Sequence, residues 1–117
     1  MPADAYAAEG VDIWGFTVEN EPHGNGGHWE SMHFSPESQN DFIKHHLGPR
    51  LRESEHSDAR LLIYDQNRDG LEEWTDTIFA DPQSADYAYG AAVHWYSSTF
   101  KVFEEVFERE YPWTGRR

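Results

Sequence analysis

Three segments carry the apolar patterning of β-strands, at residues 11–18, 60–64 and 91–96, and each is followed by a stretch of helical spacing. No two-residue turn joins one strand directly to the next. Antiparallel neighbours can be linked by such a turn, whereas parallel neighbours need a crossover connection, usually a helix. The order strand, helix, strand, helix, strand, helix therefore predicts an α/β fold of consecutive parallel βα units. No internal repeat, low-complexity tract or linker divides the 117 residues.

The local signals fill in this frame. Residues 3–9 have helical composition and stop at Gly10, a residue that tolerates positive φ just past a helix end. In the first strand a period of two puts Trp14, Phe16 and Val18 on one bulky face. Ile13, Gly15, Thr17 and Glu19 make a smaller, increasingly polar face. That pattern predicts a strand buried on both sides. Ser35-Pro36-Glu37 opens a helix, with Ser35 as N-cap and Pro36 at the first helical position. This helix should bury Phe42, Ile43 and Leu47, with Gly48-Pro49 interrupting it before one further turn. Leu71, Trp74 and Ile78 have helical spacing, and Asp81-Pro82 repeats the cap logic in a short turn. A last helix should present Phe100, Phe103, Val106 and Phe107 as its apolar stripe before Pro112 stops it.

A formal net charge of -13 argues against nucleic-acid or anionic-membrane partners, which need clustered Lys and Arg. Cysteine is absent, which removes disulfides, thiolate metal sites and cysteine nucleophiles, and leaves the redox compartment open. The N-terminus has neither the basic start nor the apolar run of a signal peptide. No stretch reaches the ~20 apolar residues of a membrane span. Met1 stands only a few residues before helical sequence, as expected of a chain that begins partway through a larger protein.

In parallel α/β folds ligands bind beyond the carboxyl ends of the strands, so the strand ends should carry the chemistry. Here they read Glu19-Asn20-Glu21-Pro22, Asp65-Gln66-Asn67-Arg68 and His94-Trp95-Tyr96. Pro22 steers Glu21 away from helical geometry, which predicts an extended glutamate facing outward as the first strand leaves the sheet. His94 and Tyr96 share a face by strand alternation.

Three anchors, DIWGFTVENEP at 12–22, FSPESQNDFIKHHLGPRL with LLIYDQNRDGLEEW between 34 and 74, and GAAVHWYSSTF at 90–100, carry a resemblance to the family 30 glycoside hydrolases. Glucosylceramidases and β-1,6-glucanases belong to that family. The resemblance runs over nearly the whole chain and implies part of a (β/α)8 TIM barrel, covering strands four to six. It also implies a retaining mechanism that needs no cofactor and no metal, acting on a β-linked glycoside or glucan. Glu21 would be the general acid/base, giving a proton to the departing glycosidic oxygen and later taking one from water. Such an acid needs a raised pKa near neutral pH, and Trp29, Trp95 and Tyr96 are candidates for the setting that raises it. By the same resemblance Asn20 would bond the sugar 2-hydroxyl, Trp29 would form a stacking wall, and His94, Trp95 and Tyr96 would line the pocket. Asp65 and Arg68 would form an ion pair beneath the rim. Family members are often secreted or lysosomal, and nothing in these residues decides the localisation.

The family's nucleophile is a second glutamate at the end of strand seven, about 5–5.5 Å from the acid in a retaining enzyme. Glu104, Glu105, Glu108 and Glu110 belong instead to the solvated face of the last helix. Three alternatives compete with the glycosidase reading. Residues 65–76 partly match a calcium loop through Asp65, Asn67, Asp69 and Gly70, although Asp76 replaces the usual glutamate at the twelfth position. His23, His28 and His33 recur in one loop as possible metal ligands, at a spacing that fits no standard motif. A noncatalytic carbohydrate-binding module would use the same aromatics without an acid. A closed barrel takes about 250 residues, and three open units leave two strand edges unpaired. The isolated chain is therefore expected neither to hydrolyse an aryl β-glucoside nor to melt in one sharp monomeric transition, which a fluorogenic assay and calorimetry would test.

Overall fold

The computed structural model describes residues 2–24, 28 and 30–109. Its elements follow the predicted order: α1 (Pro2–Ala8), β1 (Gly15–Thr17), α2 (Pro36–Phe42), α3 (Gly48–Arg52), β2 (Arg60–Asn67), α4 (Leu71–Phe79), α5 (Pro82–Ala85), β3 (Ala88–His94) and α6 (Lys101–Phe107). A π-helical turn at Ile43–Leu47 joins α2 to α3, and a 3-10 turn at Arg68–Gly70 follows β2. The three strands form one parallel sheet in the order β1-β2-β3.

The capping chemistry is as the sequence requires. Ser35 Oγ accepts from the Ser38 amide at 3.1 Å and Ser38 Oγ accepts from the Ser35 amide at 2.8 Å. This is a capping box built with serine at both positions. Asp81 caps α5 and also takes Lys44 Nζ at 2.7 Å and Asn40 Nδ2 at 3.2 Å. The Lys44 ammonium holds the Asp81 carboxyl down to about 2. Gly48-Pro49 does not end the helix outright. Pro49 supplies no N–H for the regular ladder, so the chain widens into the π turn and resumes as α3.

The core lies between the sheet and the helices that cover one of its faces. Leu61 and Ile63 of β2 point into it, against Ile43, Leu51, Leu71, Trp74, Ile78 and Phe79. The opposite face, by strand alternation, carries Gly15 and Thr17 of β1, Leu62 of β2 and Gly90, Ala92 and His94 of β3, all of them half-buried.

Two expectations need correction. Within these 117 residues the first strand is not buried on both sides: only Gly15–Thr17 pair, all half-buried, and Trp14 is exposed. The reason is its place at the sheet edge, with β2 its sole neighbour among the described residues. In α6 the stripe that meets the core is Val102, Phe103 and Val106, while Phe100 and Phe107 are exposed. Phe100 precedes the helix and its ring instead covers the Arg68 guanidinium at 4.6 Å.

Gly48 is required by close approach. A Cβ there would sit 2.4 Å from a Tyr87 ring carbon, whereas one at Gly90 would meet Leu62 at an ordinary 3.6 Å. In the full-length protein, Gly48→Ala should therefore destabilise by about 1–3 kcal/mol. Gly90→Ala should stay within about 1 kcal/mol by the same packing argument, with urea unfolding as the measurement.

Candidate active site

The second strand does not end at Tyr64 but continues through a β-bulge. Register runs from Tyr64↔Ala92 to Gln66↔Val93, leaving Asp65 as the extra residue. Tyr64 and Asp65 both adopt positive φ, 75° and 62°. For non-glycine residues such a conformation costs roughly 1–3 kcal/mol each and persists only where the surroundings over-determine it.

The surroundings do so here. Gln39, fully buried on α2, accepts the Tyr64 amide at 3.0 Å. The Tyr64 hydroxyl donates to the Asn67 carbonyl and accepts the Gly70 amide at 3.0 Å, and burial keeps this phenol protonated by pushing its pKa up. The Asp65 carbonyl accepts the Glu21 amide at 3.0 Å. A side chain at Gly70 would collide with the Tyr64 hydroxyl, at 2.4 Å from the Cβ.

The bulge turns the Asp65 carboxylate toward its neighbours. One oxygen accepts Thr17 Oγ1 at 2.7 Å, and the other lies 3.1 Å from His94 Nε2. The second nitrogen of that ring, Nδ1, lies 3.2 Å from Glu21 Oε1. The ends of all three strands thus meet through side chains: Thr17 and Glu21 after or within β1, Asp65 on β2, His94 on β3. If Asp65 accepts Nε2–H, Nδ1 either donates to a Glu21 carboxylate or accepts from a Glu21 carboxylic acid.

The backbone at Glu21 departs from expectation. Its φ is 54°, left-handed rather than extended. A tight turn makes this possible: Gly24 N–H donates back to the Glu21 carbonyl at 2.8 Å. Phe34 N–H donates to the Pro22 carbonyl at 2.8 Å, bringing the far end of the loop beside it. Asn20 is exposed next to it on the rim. Trp95 and Tyr96 are 76% and 69% exposed, with ring centroids 5.2 Å apart and planes 31° from parallel. They form an outward aromatic pair and do not enclose Glu21, whose near neighbour is the His94 ring. Trp29 and Glu110 lie outside the described residues.

Asp65 and Arg68 do not form an ion pair. The Asp65 carboxylate is occupied by Thr17 and His94, and the Arg68 guanidinium turns to the backbone carbonyls of Trp95, Ser97 and Ser98. This also removes the calcium-loop geometry. Asp65, Asp69 and Asp76 face different partners, His94, Ser97 and Arg109 respectively, and Gly70 is explained by the Tyr64 hydroxyl. Among the described residues no three His, Cys, Asp or Glu groups are placed to share a metal ion. His23 packs edge-on to Tyr64 and tilted against Trp74. Glu104 and Glu108 are exposed, and Glu105 pairs with Lys101 at 3.0 Å.

Two residues of the site escaped the sequence reading, Thr17 and Glu19. Their signal was the polar face of the first strand, where both have the same parity. Both Glu19 carboxylate oxygens are buried without a donor in hydrogen-bonding geometry. Burial pushes its pKa up to about 7; the nearby Met32 backbone N–H opposes this, and the charge of Asp65 adds to it. With the folded-state value above the ordinary 4.5, the folded chain holds the extra proton. Its contribution is therefore complete below about 4.5 and is lost as pH rises through about 7. Glu19→Gln in the full-length protein should flatten the loss of stability across that window, as read by melting temperature against pH. An unchanged slope would show that Glu19 titrates normally.

Comparison with known proteins agrees with this geometry. The family model for the glycosyl hydrolase family 30 TIM-barrel domain matches residues 2–111. The chain is 44% identical over 96 residues to mouse (Mus musculus) lysosomal acid glucosylceramidase, covering 80% of this chain and 18% of that protein. It is 35% identical over 115 residues to putative glucosylceramidase 3 of Caenorhabditis elegans, covering 93% of this chain and 22% of that protein. The solved structure of the endo-β1,6-glucanase BT3312 superposes with a TM-score of 0.82 at 28% identity, over 91% of this chain and 24% of that one. The chain thus spans about a fifth of the length of the curated relatives it matches. With three parallel strands, helices on one face and polar strand ends on one rim, the chain belongs to glycosyl hydrolase family 30, as a portion of its TIM-barrel domain.

Proposed function

We propose that the full-length protein carrying this chain is a retaining β-glycosidase in which Glu21 is the general acid/base. The observation that carries the reading is the Glu21–His94–Asp65 chain of contacts, which couples a strand-end carboxyl to an imidazole that is itself oriented from behind. Asp65 fixes the ring and Thr17 fixes Asp65, so the Glu21 oxygen is held from the β3 side. Glu21 in its acid form donates to the glycosidic oxygen as the C–O bond breaks. A carboxylate from outside this chain forms the glycosyl ester. Glu21 as carboxylate then takes a proton from the water that releases the sugar. The glycone common to the activities named among the relatives, glucosylceramidase and endo-1,6-β-D-glucanase, is a β-linked glucose, and that is the sugar assigned to the rim. Asn20 contributes a hydrogen bond to it, and Trp95 with Tyr96 contributes a stacking surface.

The outward Trp95–Tyr96 pair also suits a second reading, a noncatalytic carbohydrate-binding surface. Glu21→Gln separates the two. An acid/base role predicts a fall in kcat of roughly 10²–10⁴-fold for sugar or alkyl leaving groups. For a dinitrophenyl glucoside, whose leaving group departs without protonation, kcat/KM should fall much less, while kcat stays low until added azide replaces the activated water. Equal activity of variant and parent on a disaccharide would reject the acid/base role and leave the binding surface.

A further inference from the structure

We infer that Arg68 is a positioning residue, the clamp that fixes the segment Trp95–Ser98 and with it the aromatic pair on the rim. This rests on the reading of Trp95 and Tyr96 as a sugar-stacking surface.

Arg68 is only 8% exposed, and a buried guanidinium must find partners for its donors. Among the described residues no carboxylate lies in ion-pair range of it. Nε donates to the Ser97 carbonyl at 3.0 Å, and one terminal nitrogen donates to the carbonyls of Trp95 at 3.0 Å and Ser98 at 2.9 Å. The Phe100 ring lies over the guanidinium at 4.6 Å. The next residue reaches the same segment, since Asp69 Oδ1 accepts Ser97 Oγ at 2.7 Å. Charge-assisted bonds from two consecutive residues therefore hold Trp95, Ser97 and Ser98, three of the four positions across from them.

Two features show that the segment depends on this hold. Ser98 adopts φ 64°, a conformation a serine keeps only when its surroundings impose it. Within this chain Trp95 and Tyr96 project outward, so its core does not set their direction. Their backbone does, and Arg68 holds that backbone. Lysine, a compact point charge without the planar fork, cannot bond the three carbonyls from the same place.

The test compares the full-length protein with its Arg68→Met and Arg68→Lys variants, using a β-1,6-linked gluco-oligosaccharide as substrate and amide hydrogen exchange as a second readout. Arg68→Met should raise KM about tenfold while kcat changes less than about threefold, with Arg68→Lys between. Amides of residues 95–100 should exchange faster while those of β2 and α4 do not. Should Arg68→Met fail to fold, Arg68→Lys supplies the same comparison. A loss confined to kcat would mean that Arg68 acts on Glu21 and His94 and would overturn the inference, as would unchanged KM with a loosened segment. A parent protein without glucosidase turnover would instead reject the proposed function, and unchanged exchange at residues 95–100 would still reject the clamp.

Discussion

The rim of this sheet depends on one carboxylate, that of Asp65. Its two oxygens and its carbonyl tie β2 to Thr17, His94 and the Glu21 amide at distances of 2.7–3.1 Å. Without the bulge at Tyr64–Asp65 that carboxylate would follow the alternation of a regular strand. The two left-handed residues are therefore not an incidental irregularity. They are the local strain through which the middle strand addresses both neighbours at once, and Gln39, Tyr64 and Gly70 hold that strain from the side of the helices.

Seen from the helices, the site is an outgrowth of the core. Tyr64 is buried beside Trp74, at 5.2 Å between ring centroids, and its hydroxyl holds the turn that leads into α4. The same packing that covers one face of the sheet thus sets the direction of the groups beyond its carboxyl end. From there the network divides. Asp65 works toward Glu21 through His94, and Arg68, three residues later, works toward the loop that follows β3. The division matters because, on the proposed function, proton transfer and sugar stacking would have separate supports built on one strand.

Charge is distributed unevenly over this rim. Glu21 and Asp65 share the His94 imidazole, and Glu19, near enough for the Asp65 charge to act on it, has both carboxylate oxygens buried without a bonded donor. A carboxyl in that position is favoured in its neutral form, which limits the repulsion that three carboxylates would otherwise impose on the strand ends.

Much of this was legible in the sequence. The order of strands and helices, the Ser35 and Asp81 caps, and the gathering of Glu21, Asp65 and His94 at one rim follow from short-range rules: period, capping residues and the geometry of parallel crossovers. What the sequence could not carry were decisions made by contacts distant along the chain. Asp65 seeks Thr17 and His94 instead of Arg68, although Arg68 is three residues away, because the bulge reverses its direction. Glu21 turns left-handed where proline alone argued for an extended residue, because Gly24 and the Asp65 carbonyl close on its backbone from both sides. Phe100 leaves the apolar stripe for the Arg68 guanidinium for the same kind of reason. Local pattern determines which elements form and which residues end them. Only the tertiary structure decides which polar group takes which partner, because each group has several chemically acceptable partners and burial leaves room for one arrangement.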